Sequence, residues 1–294
     1  MSNSDANRRL GYPAGARLLI INADDLGMCQ AVNEAIFRTL KAGLVRSTTL
    51  MVPCPWALHA MHFLKDNPEL PFGVHLTAIC DSADYRWRPM LAREKVPSLT
   101  DATGYFYTWD DMADFLAQVR LDQLEAEFRA QIEAVLAAGL KPTHLDWHSL
   151  RISGRADIFD VLFNLTKEYG LALRVYGRDS IEKVQSQGLP TIDYDFLDSY
   201  GLDPANKPTR FAQLLHELPP GLSEWAVHPG LDGPELLAIE PNGQHVRQAD
   251  FEFLMSREAK DIMAAEGIML MDYRELQAAW RSSLAFGHTG PLFV

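Results

Sequence analysis

The chain has 294 residues, 47% of them hydrophobic and 22% charged, which is typical of a globular protein with a substantial hydrophobic core. Its formal net charge of −12 argues against general affinity for nucleic acid or acidic membrane surfaces. No apolar run is long enough to span a membrane, and residues 1–16 lack the apolar segment of a signal peptide, so we expect a flexible leader at 1–16 and a cytoplasmic protein.

Strand and helix patterns alternate through the first half of the chain. Residues 17–22 form an aliphatic run of strand length, and residues 30–41 then place apolar side chains at helical spacing before Gly43. The same patterns predict strands at 47–52, 72–77 and 143–147 and helices at 56–64 and 110–138. Residues 79–107 have no clear period and contain two prolines, so we predict a long excursion there.

The alternation continues through the second half. It predicts helices at 156–169, 211–215 and 249–265 and strands at 171–176, 191–194, 224–228 and 268–271. Strand-then-helix units without hairpins are typical of a parallel sheet covered by helices. About eight strands over this length predict one α/β domain at 17–294, built as a closed or nearly closed barrel.

Polar residues of the predicted strands fall at the carboxyl ends. Buried parallel strands are expected to be apolar along their length, and these strands depart from that rule only where they end. The end positions carry Asp24, Asp25, His75, His144, Asp146, His148, Arg174, His228 and Asp272. Because the carboxyl ends of parallel barrel strands share one face, we expect these side chains to converge there in an active site.

The adjacent residues Asp24 and Asp25 have two interpretations. On a regular strand their side chains point to opposite sides, so they cannot both face one core. One of them can be the N-cap of the following helix, which is a common role of Asp in such a loop. The alternative is a division of labour, in which one carboxylate binds a cation and the other accepts a proton from bound water.

Histidines at the strand ends are the candidate metal ligands. A lone strand histidine such as His75 is more often a hydrogen-bonded core residue. His144, Asp146 and His148 are spaced by two, which puts them on one side of a strand, where a carboxylate can orient a metal-binding imidazole. Two histidines and one carboxylate leave open positions, as in catalytic rather than structural zinc sites.

Two more strand-end residues have a structural and a chemical interpretation. His228 precedes a Pro-Gly turn and is either a solvent-facing residue or a proton donor to a leaving amine. Arg174 is either a structural ion-pair partner or the group that orients the base carboxylate, and we favour the second. Helices and loops carry the remaining histidines, to which we assign no chemistry: His59, His62, His216, His245 and His288.

Aromatic residues cluster in the excursion and just after it. They are Trp87, Tyr105, Tyr107 and Trp109. Such rings often line sugar sites, but they can equally pack together as a lid, and the sequence leaves both interpretations open.

Several of these segments, taken in order, resemble the YdjC-like carbohydrate deacetylases, which include chitooligosaccharide and hopanoid-biosynthesis deacetylases. The resemblance begins with Leu-Ile-Ile-Asn-Ala-Asp-Asp-Leu-Gly at 19–27, Asn33 and Ser-Thr-Thr at 47–49. It continues with Gly-Val-His-Leu-Thr at 73–77, Pro-Thr-His-Leu-Asp-Trp-His at 142–148, Val-His-Pro-Gly at 227–230 and the stretch 247–273. The ordered set covers most of the chain and is far more specific than any single motif.

The resemblance implies a deformed, TIM-like (β/α) barrel with mostly parallel strands. It also implies a hydrolase that removes an N-acetyl group from a sugar with one divalent metal ion, zinc or magnesium. Asp25, His75 and His148 would bind the metal, Asp24 would be the catalytic base and His228 the catalytic acid. The metal would polarise the acetamide carbonyl and a water and stabilise the oxyanion, while Asp24 takes the water's proton and His228 protonates the amine.

Four more residues are assigned a supporting or substrate-binding role: Arg174, His144, Asp146 and Trp147. The partner would be a small carbohydrate, with no nucleic acid and no membrane span, and the oligomeric state is left open, a homodimer included. Family members often carry further histidines after the Asp-x-His, whereas Ser149-Leu150-Arg151 follow here, and Trp147 replaces a usually small residue. We therefore expect the substrate pocket to differ from that of a chitooligosaccharide enzyme.

Two rival interpretations remain at this point. One is another metal-dependent barrel enzyme, such as a sugar isomerase or a hydrolase of a different amide. The other is a barrel that binds a sugar or a metal without turnover. The candidate base Asp24 argues against the second, because a binding protein does not need a base.

Overall fold

The computed structural model describes residues 4–152 and 154–286, and a sheet of parallel strands runs through it. The first half contains α1 (Asp5–Leu10), β1 (Arg17–Leu26), α2 (Gln30–Ala42), β2 (Ser47–Leu50), α3 (Ala57–Asp66), β3 (Gly73–Leu76), β4 (Ile79–Cys80), β5 (Tyr107–Thr108), α4 (Met112–Gln118), α5 (Leu121–Ala137) and β6 (His144–Trp147). The second half contains α6 (Ala156–Tyr169), β7 (Ala172–Leu173), α7 (Arg178–Ser186), β8 (Leu197–Asp198), α8 (Lys207–His216), β9 (Gly221–Val227), α9 (Pro234–Ile239), α10 (Gln244–Met255), α11 (Arg257–Glu266), β10 (Met269–Met271) and α12 (Tyr273–Phe286).

The main sheet has the order β7-β6-β3-β2-β1-β9-β8, with β10 beside the first half of β1. Every pairing among these strands is parallel. Within the described residues β7 and β8 stand at the two ends of this order, so the sheet curls as an incomplete barrel. The predicted α/β fold with a deformed, mostly parallel barrel is confirmed.

β1 shows why the buried strands read as continuous aliphatic runs. Leu18, Leu19, Ile20 and Ile21 are all fully buried, because one face of the strand looks into the barrel and the other lies under helices. The helix α2 after it ends at Gly43, whose φ of 88° is the left-handed conformation that favours glycine at this position.

The strand β1 contains one extra residue near its carboxyl end. Its register against β2 shifts between Ala23 and Leu26, and Asp25 has a φ of 69°. This is the geometry of a β-bulge, which redirects a side chain. The expectation that Asp24 and Asp25 cannot both face one core is therefore wrong, because the bulge breaks the alternation on which it depends.

Residues 4–16 pack against the barrel, which corrects the expectation of a flexible leader for this part of the chain. Asp193 accepts hydrogen bonds from the Ser4 hydroxyl at 2.5 Å and from the first backbone N–H groups of α1 at 3.0 and 3.2 Å. Ala6 and Asn7 are fully buried. Residues 1–3 lie outside the described residues, as does His288.

Three other element predictions need correction. The helix expected at 110–138 is two helices, because the backbone is extended at 119–120 and the Arg120 N–H donates to Ser98 Oγ at 3.1 Å. The helix expected at 249–265 breaks at Ser256, whose hydroxyl caps α11 by accepting from the Ala259 N–H. The strand expected at 191–194 is irregular chain, and β8 forms at 197–198, beside β9.

The excursion at 79–107 is packed structure. It begins and ends in β4 and β5, which pair with each other, and it contains two short 3₁₀ helices. Glu127, fully buried on α5, accepts hydrogen bonds from the backbone N–H groups of Met90 and Leu91 at 2.9 and 3.0 Å. These contacts hold the middle of the excursion against α5.

Candidate active site

The carboxyl ends of the strands surround a cavity of about 600 Å³. Of the predicted site residues, seven line it: Asp24, Asp25, His75, Trp147, His148, Arg174 and His228. Side chains that the sequence analysis did not assign also line it, among them Asp81, Tyr176, Phe196, Asp198, Tyr200, Glu240 and Arg247. The convergence expected from strand-end placement is therefore found for six of the nine strand-end residues. Asp272 is not among them, because β10 pairs with the first half of β1, and its carboxylate pairs with Arg274 instead.

Asp25, His75 and His148 form a group that can hold a metal ion. One donor atom from each lies within 4.8 Å of the others, and all three residues are buried. Asp25 Oδ1 is 3.5 Å from His75 Nε2 and 3.2 Å from His148 Nδ1. One carboxylate oxygen and two imidazole nitrogens are donors that suit a zinc-type site with open positions.

Each of the two imidazoles has a carboxylate behind it. His75 Nδ1 contacts Asp146 Oδ1 at 2.6 Å, and His148 Nε2 contacts Asp81 Oδ1 at 2.8 Å. Burial alone lowers the pKa of both rings, but these carboxylates raise it, to about 9 for His75 and about 10 for His148. Such outer carboxylates fix the orientation of ligand rings.

Asp24 lies beside this group and is held by Arg174. The guanidinium gives it two hydrogen bonds, from Nη1 to Oδ2 at 2.7 Å and from Nη2 to Oδ1 at 2.8 Å, and Asn22 Nδ2 adds a third at 2.7 Å. Burial raises the pKa of Asp24, but Arg174, with smaller contributions from His75 and His228, lowers it below its usual value. Asp24 is therefore ionised and fixed in orientation at neutral pH.

Arg174 is the centre of a wider buried network. Its Nε donates to Glu224 Oε1 at 2.8 Å and its Nη1 lies 2.8 Å from Asp146 Oδ2. Glu224 in turn accepts from the Tyr273 hydroxyl at 2.6 Å. Arg174 thus joins Asp24 to the carboxylate behind His75.

Asp25 has an arginine of its own, which the sequence analysis missed. Arg247, on α10, donates from Nη2 to Asp25 Oδ2 at 2.8 Å and from Nε to Glu240 Oε2 at 2.5 Å. It is almost fully buried. Burial raises the pKa of Asp25, but Arg247 together with His148 and His75 lowers it well below its usual value. α10 comes this close because residue 230 is glycine: a Cβ there would lie 3.0 Å from Arg247 Cβ.

His228 lies close to Asp24 at the cavity. Its Nε2 is 3.9 Å from Asp24 Oδ2, and its side chain is 12% exposed. His228 and Asp24 therefore lie close together at the cavity, beside the candidate metal group.

Not every predicted residue lies at the cavity. His144 is fully buried beneath it, stacked on Tyr273 with ring centroids 3.6 Å apart, and its Nδ1 contacts Thr143 Oγ1 at 2.9 Å. A Cβ on Gly73 would lie 2.6 Å from this ring, which explains the glycine there. Asp146 does not line the cavity either, but supports it through His75.

The aromatic cluster of the excursion divides in the structure. Trp87 is buried and packs edge-on against His148, and Tyr105 lies under Arg88. Only Trp109 of the four lines the cavity, where Arg151 stacks on it at 4.3 Å. The other rings at the cavity come from elsewhere, including Trp147, whose Nε1 donates to the Leu150 carbonyl at 3.1 Å.

Comparison with known proteins accounts for the ordered motifs. The sequence model of the YdjC-like protein family matches residues 18–265. This chain belongs to the YdjC-like family. It is 33% identical over 261 residues to the carbohydrate deacetylase of Geobacillus stearothermophilus, covering 88% of this chain and 98% of the relative. It is 32% identical over 174 residues to the chitooligosaccharide deacetylase of Yersinia enterocolitica, covering 59% of this chain and 63% of the relative.

A solved structure shows the same architecture. An Enterococcus faecalis protein named for cellobiose-phosphate cleavage superimposes with a TM-score of 0.77 at 30% identity, covering 89% of this chain and 99% of the other. Among the described residues of this chain, no helix combines the length and apolar character that a membrane crossing requires.

Proposed function

We propose that this YdjC-like protein is a metal-dependent deacetylase that hydrolyses the N-acetyl group of an acetylated amino sugar or sugar conjugate. The observation that supports it best is the joint placement of a metal-binding group, a fixed carboxylate and a nearby histidine at one cavity. The names of the relatives supply the reaction class, since both are deacetylases of carbohydrates.

Asp25, His75 and His148 would hold the metal ion. Two imidazole nitrogens favour zinc over magnesium, because magnesium prefers oxygen ligands. When bound, the ion supplies Lewis acidity toward a carbonyl oxygen and toward water.

The chain's own residues supply the proton transfers. Asp24 is the base: its two oxygens are held by Arg174 and Asn22, and Oδ2 is turned toward His75 and His228, where it can accept a proton from water. His228 is the acid that protonates the amine as the C–N bond breaks. Ordered polar groups need no reorganisation during the reaction, which lowers its barrier.

Aromatic rings at the cavity suit a sugar. Trp109, Trp147, Tyr176, Phe196 and Tyr200 line it, and flat rings pack against the C–H faces of pyranoses while polar groups bind hydroxyls. We therefore propose a small carbohydrate as the substrate.

The test is acetate release. The purified protein is stripped with a chelator, reloaded with zinc or magnesium, and given N-acetylglucosamine, its oligomers and other N-acetylated sugars. We expect acetate and free amine in equal amounts, only with the metal-loaded protein. Failure of the loaded protein on every acetylated sugar would overturn the proposal, and sugar isomerisation in its place would support the rival metal-dependent barrel enzyme.

A further inference from the structure

A buried polar chain lies behind His228, and none of the roles above uses it. His228 Nδ1 is 3.2 Å from Ser199 Oγ, and Ser199 Oγ is 2.5 Å from Asp250 Oδ2. Asp250 Oδ1 lies 2.7 Å from Lys207 Nζ. Ser199, Asp250 and Lys207 are all fully buried.

The direction of the hydrogen bonds in this chain follows from Asp250. Its carboxylate is paired with Lys207 and acts as an acceptor only, so the Ser199 hydroxyl donates its single proton to Oδ2. Ser199 Oγ then has only lone pairs left for His228. The proton between these two residues must therefore belong to His228 Nδ1.

Asp250 also fixes the position of the histidine backbone. Its Oδ2 accepts the His228 backbone N–H at 2.8 Å, and its partner Lys207 donates to the Val246 carbonyl at 2.9 Å. Burying a Lys–Asp pair costs desolvation energy and is weak evidence for stability in itself. The buried Lys207–Asp250 pair has a clear role here if it orients His228.

The other groups around the ring are poorer partners for Nδ1. Asp198 Oδ1 is 3.8 Å away on a side chain that is 56% exposed, and it accepts the Tyr200 backbone N–H at 2.9 Å. Tyr200 meets the ring edge-on, with centroids 5.5 Å apart. On the opposite side of the ring, Nε2 faces Asp24.

We propose that Ser199 and Asp250 are positioning residues that lock His228 in the Nδ1–H tautomer and so make Nε2 the nitrogen that exchanges protons in the cavity. The inference rests on the proposed function in its use of His228 as the acid. The imidazolium gives its Nε2 proton to the amine nitrogen, which takes the electron pair of the breaking C–N bond. The ring is left neutral with its proton on Nδ1, the form that Ser199 accepts from.

The tautomer can be measured without any turnover. Protein labelled with ¹⁵N-histidine is examined by long-range imidazole NMR above the titration of the ring, with His228→Gln used to assign the signals. We expect the Nδ1–H form in the unmodified protein, a shift toward Nε2–H in Ser199→Ala, and retention of Nδ1–H in Ser199→Thr. An Nε2–H ring in the unmodified protein, or no change in Ser199→Ala, would overturn the proposal.

A kinetic experiment separates positioning from structural damage. Nitrophenolate leaves 4-nitrophenyl acetate without protonation, whereas the amine of an N-acetyl sugar needs an acid. A positioned acid contributes about 10²–10⁴ to the rate, which sets the upper limit for the loss of its positioning. We expect Ser199→Ala to lower kcat on the acetylated sugar by at least about tenfold, up to that limit. KM and the rate of ester hydrolysis should stay unchanged.

The exposed Ser186→Ala is the matched control and should change neither reaction. Equal losses on both substrates in Ser199→Ala would mean that Ser199 is merely structural. If the unmodified protein releases no acetate from any sugar, the proposed function fails, while the NMR result still decides the tautomer.

Discussion

The neighbouring residues Asp24 and Asp25 are predicted to respond in opposite ways to the same substitution. Asn has almost the shape of Asp, so each variant removes a negative charge and little else. Asp25 has a φ of 69°, a conformation that Asn tolerates, so the backbone bulge survives in Asp25→Asn as well. The two variants are thus matched controls for each other.

For Asp24→Asn we expect bound metal to remain and turnover to fall by about 10²–10⁴, the usual contribution of a positioned base. Arg174 keeps Asp146 and Glu224 as ionic partners, so the buried network stays charge-balanced. The loss is confined to charge-assisted hydrogen bonds, about 1.5–3 kcal/mol in the free energy of unfolding. At about 2–4 °C per kcal/mol, the melting temperature should fall by about 3–12 °C.

For Asp25→Asn we expect the metal itself to be lost. The variant removes the one anionic donor of the group and leaves Arg247 paired with Glu240. Metal content per chain after dialysis, acetate release and thermal melting are measured on both variants. Loss of metal in Asp24→Asn with retention in Asp25→Asn would show that the two roles are exchanged, and full activity in either variant would refute the reasoning.

Three further outcomes are expected. Asp81→Asn should weaken zinc binding by about 10- to 100-fold in a competition titration, because it removes the carboxylate behind His148. Tyr273→Phe should lower the free energy of unfolding in urea by about 1–3 kcal/mol, because it leaves a buried oxygen of Glu224 without its donor. Burial raises the pKa of Asp101, but hydrogen bonds from its neighbours lower this pKa to about 2. The ionised Asp101 carboxylate therefore stabilises the fold above pH 4 and progressively less toward pH 2. Asp101→Asn should therefore melt lower than the unmodified protein at pH 7, and the gap should narrow toward pH 2.

Exposed residues of the same type provide the controls. Asp84→Asn, on the same excursion as Asp81, should bind zinc normally. Tyr194→Phe removes a hydroxyl that is partly exposed and should change the free energy of unfolding far less than Tyr273→Phe. Unchanged zinc binding in Asp81→Asn would remove that residue from the site, and a constant gap in melting temperature across pH would contradict the role of the Asp101 carboxylate.

The sequence predicted the parts of the site that lie on strands. Alternation of strand and helix implies a parallel sheet, and polar residues at strand ends then share one face, which is how Asp24, Asp25, His75, His148 and His228 come together. Most of the predicted strands and helices lie within a few residues of their observed positions, because aliphatic runs and helical spacing reflect which side chains are buried.

The residues that the sequence analysis missed act across long sequence separations. Arg247 and Asp250 lie in the middle of a helix, where a polar residue normally faces solvent, and both are buried only because α10 packs toward the cavity. Asp81 lies in an excursion without periodicity, and its contact with His148 depends on the packing of that excursion. No local pattern marks such pairs, although the motif match at 247–273 pointed to that stretch.

The bulge in β1 and the broken helices illustrate a second limit. One extra residue in a strand changes which way a side chain points, but it leaves the hydrophobic pattern intact. Likewise, the extended backbone at 119–120 is stabilised by a hydrogen bond to Ser98, a residue more than twenty positions earlier. Tertiary contacts decided both features.

The pairing of β1 also determines how late in synthesis the main sheet can be completed. β1 is synthesised before the other described strands, yet its longest pairing, from Arg17 with Gly221 to Ala23 with Val227, needs a strand some two hundred residues later. At about 5–20 residues per second, synthesis of that interval takes about 10–40 s. During that time the aliphatic run Leu18–Ile21 of β1 lacks its main neighbour, so newly synthesised chains have a defined interval in which to aggregate or to engage a chaperone.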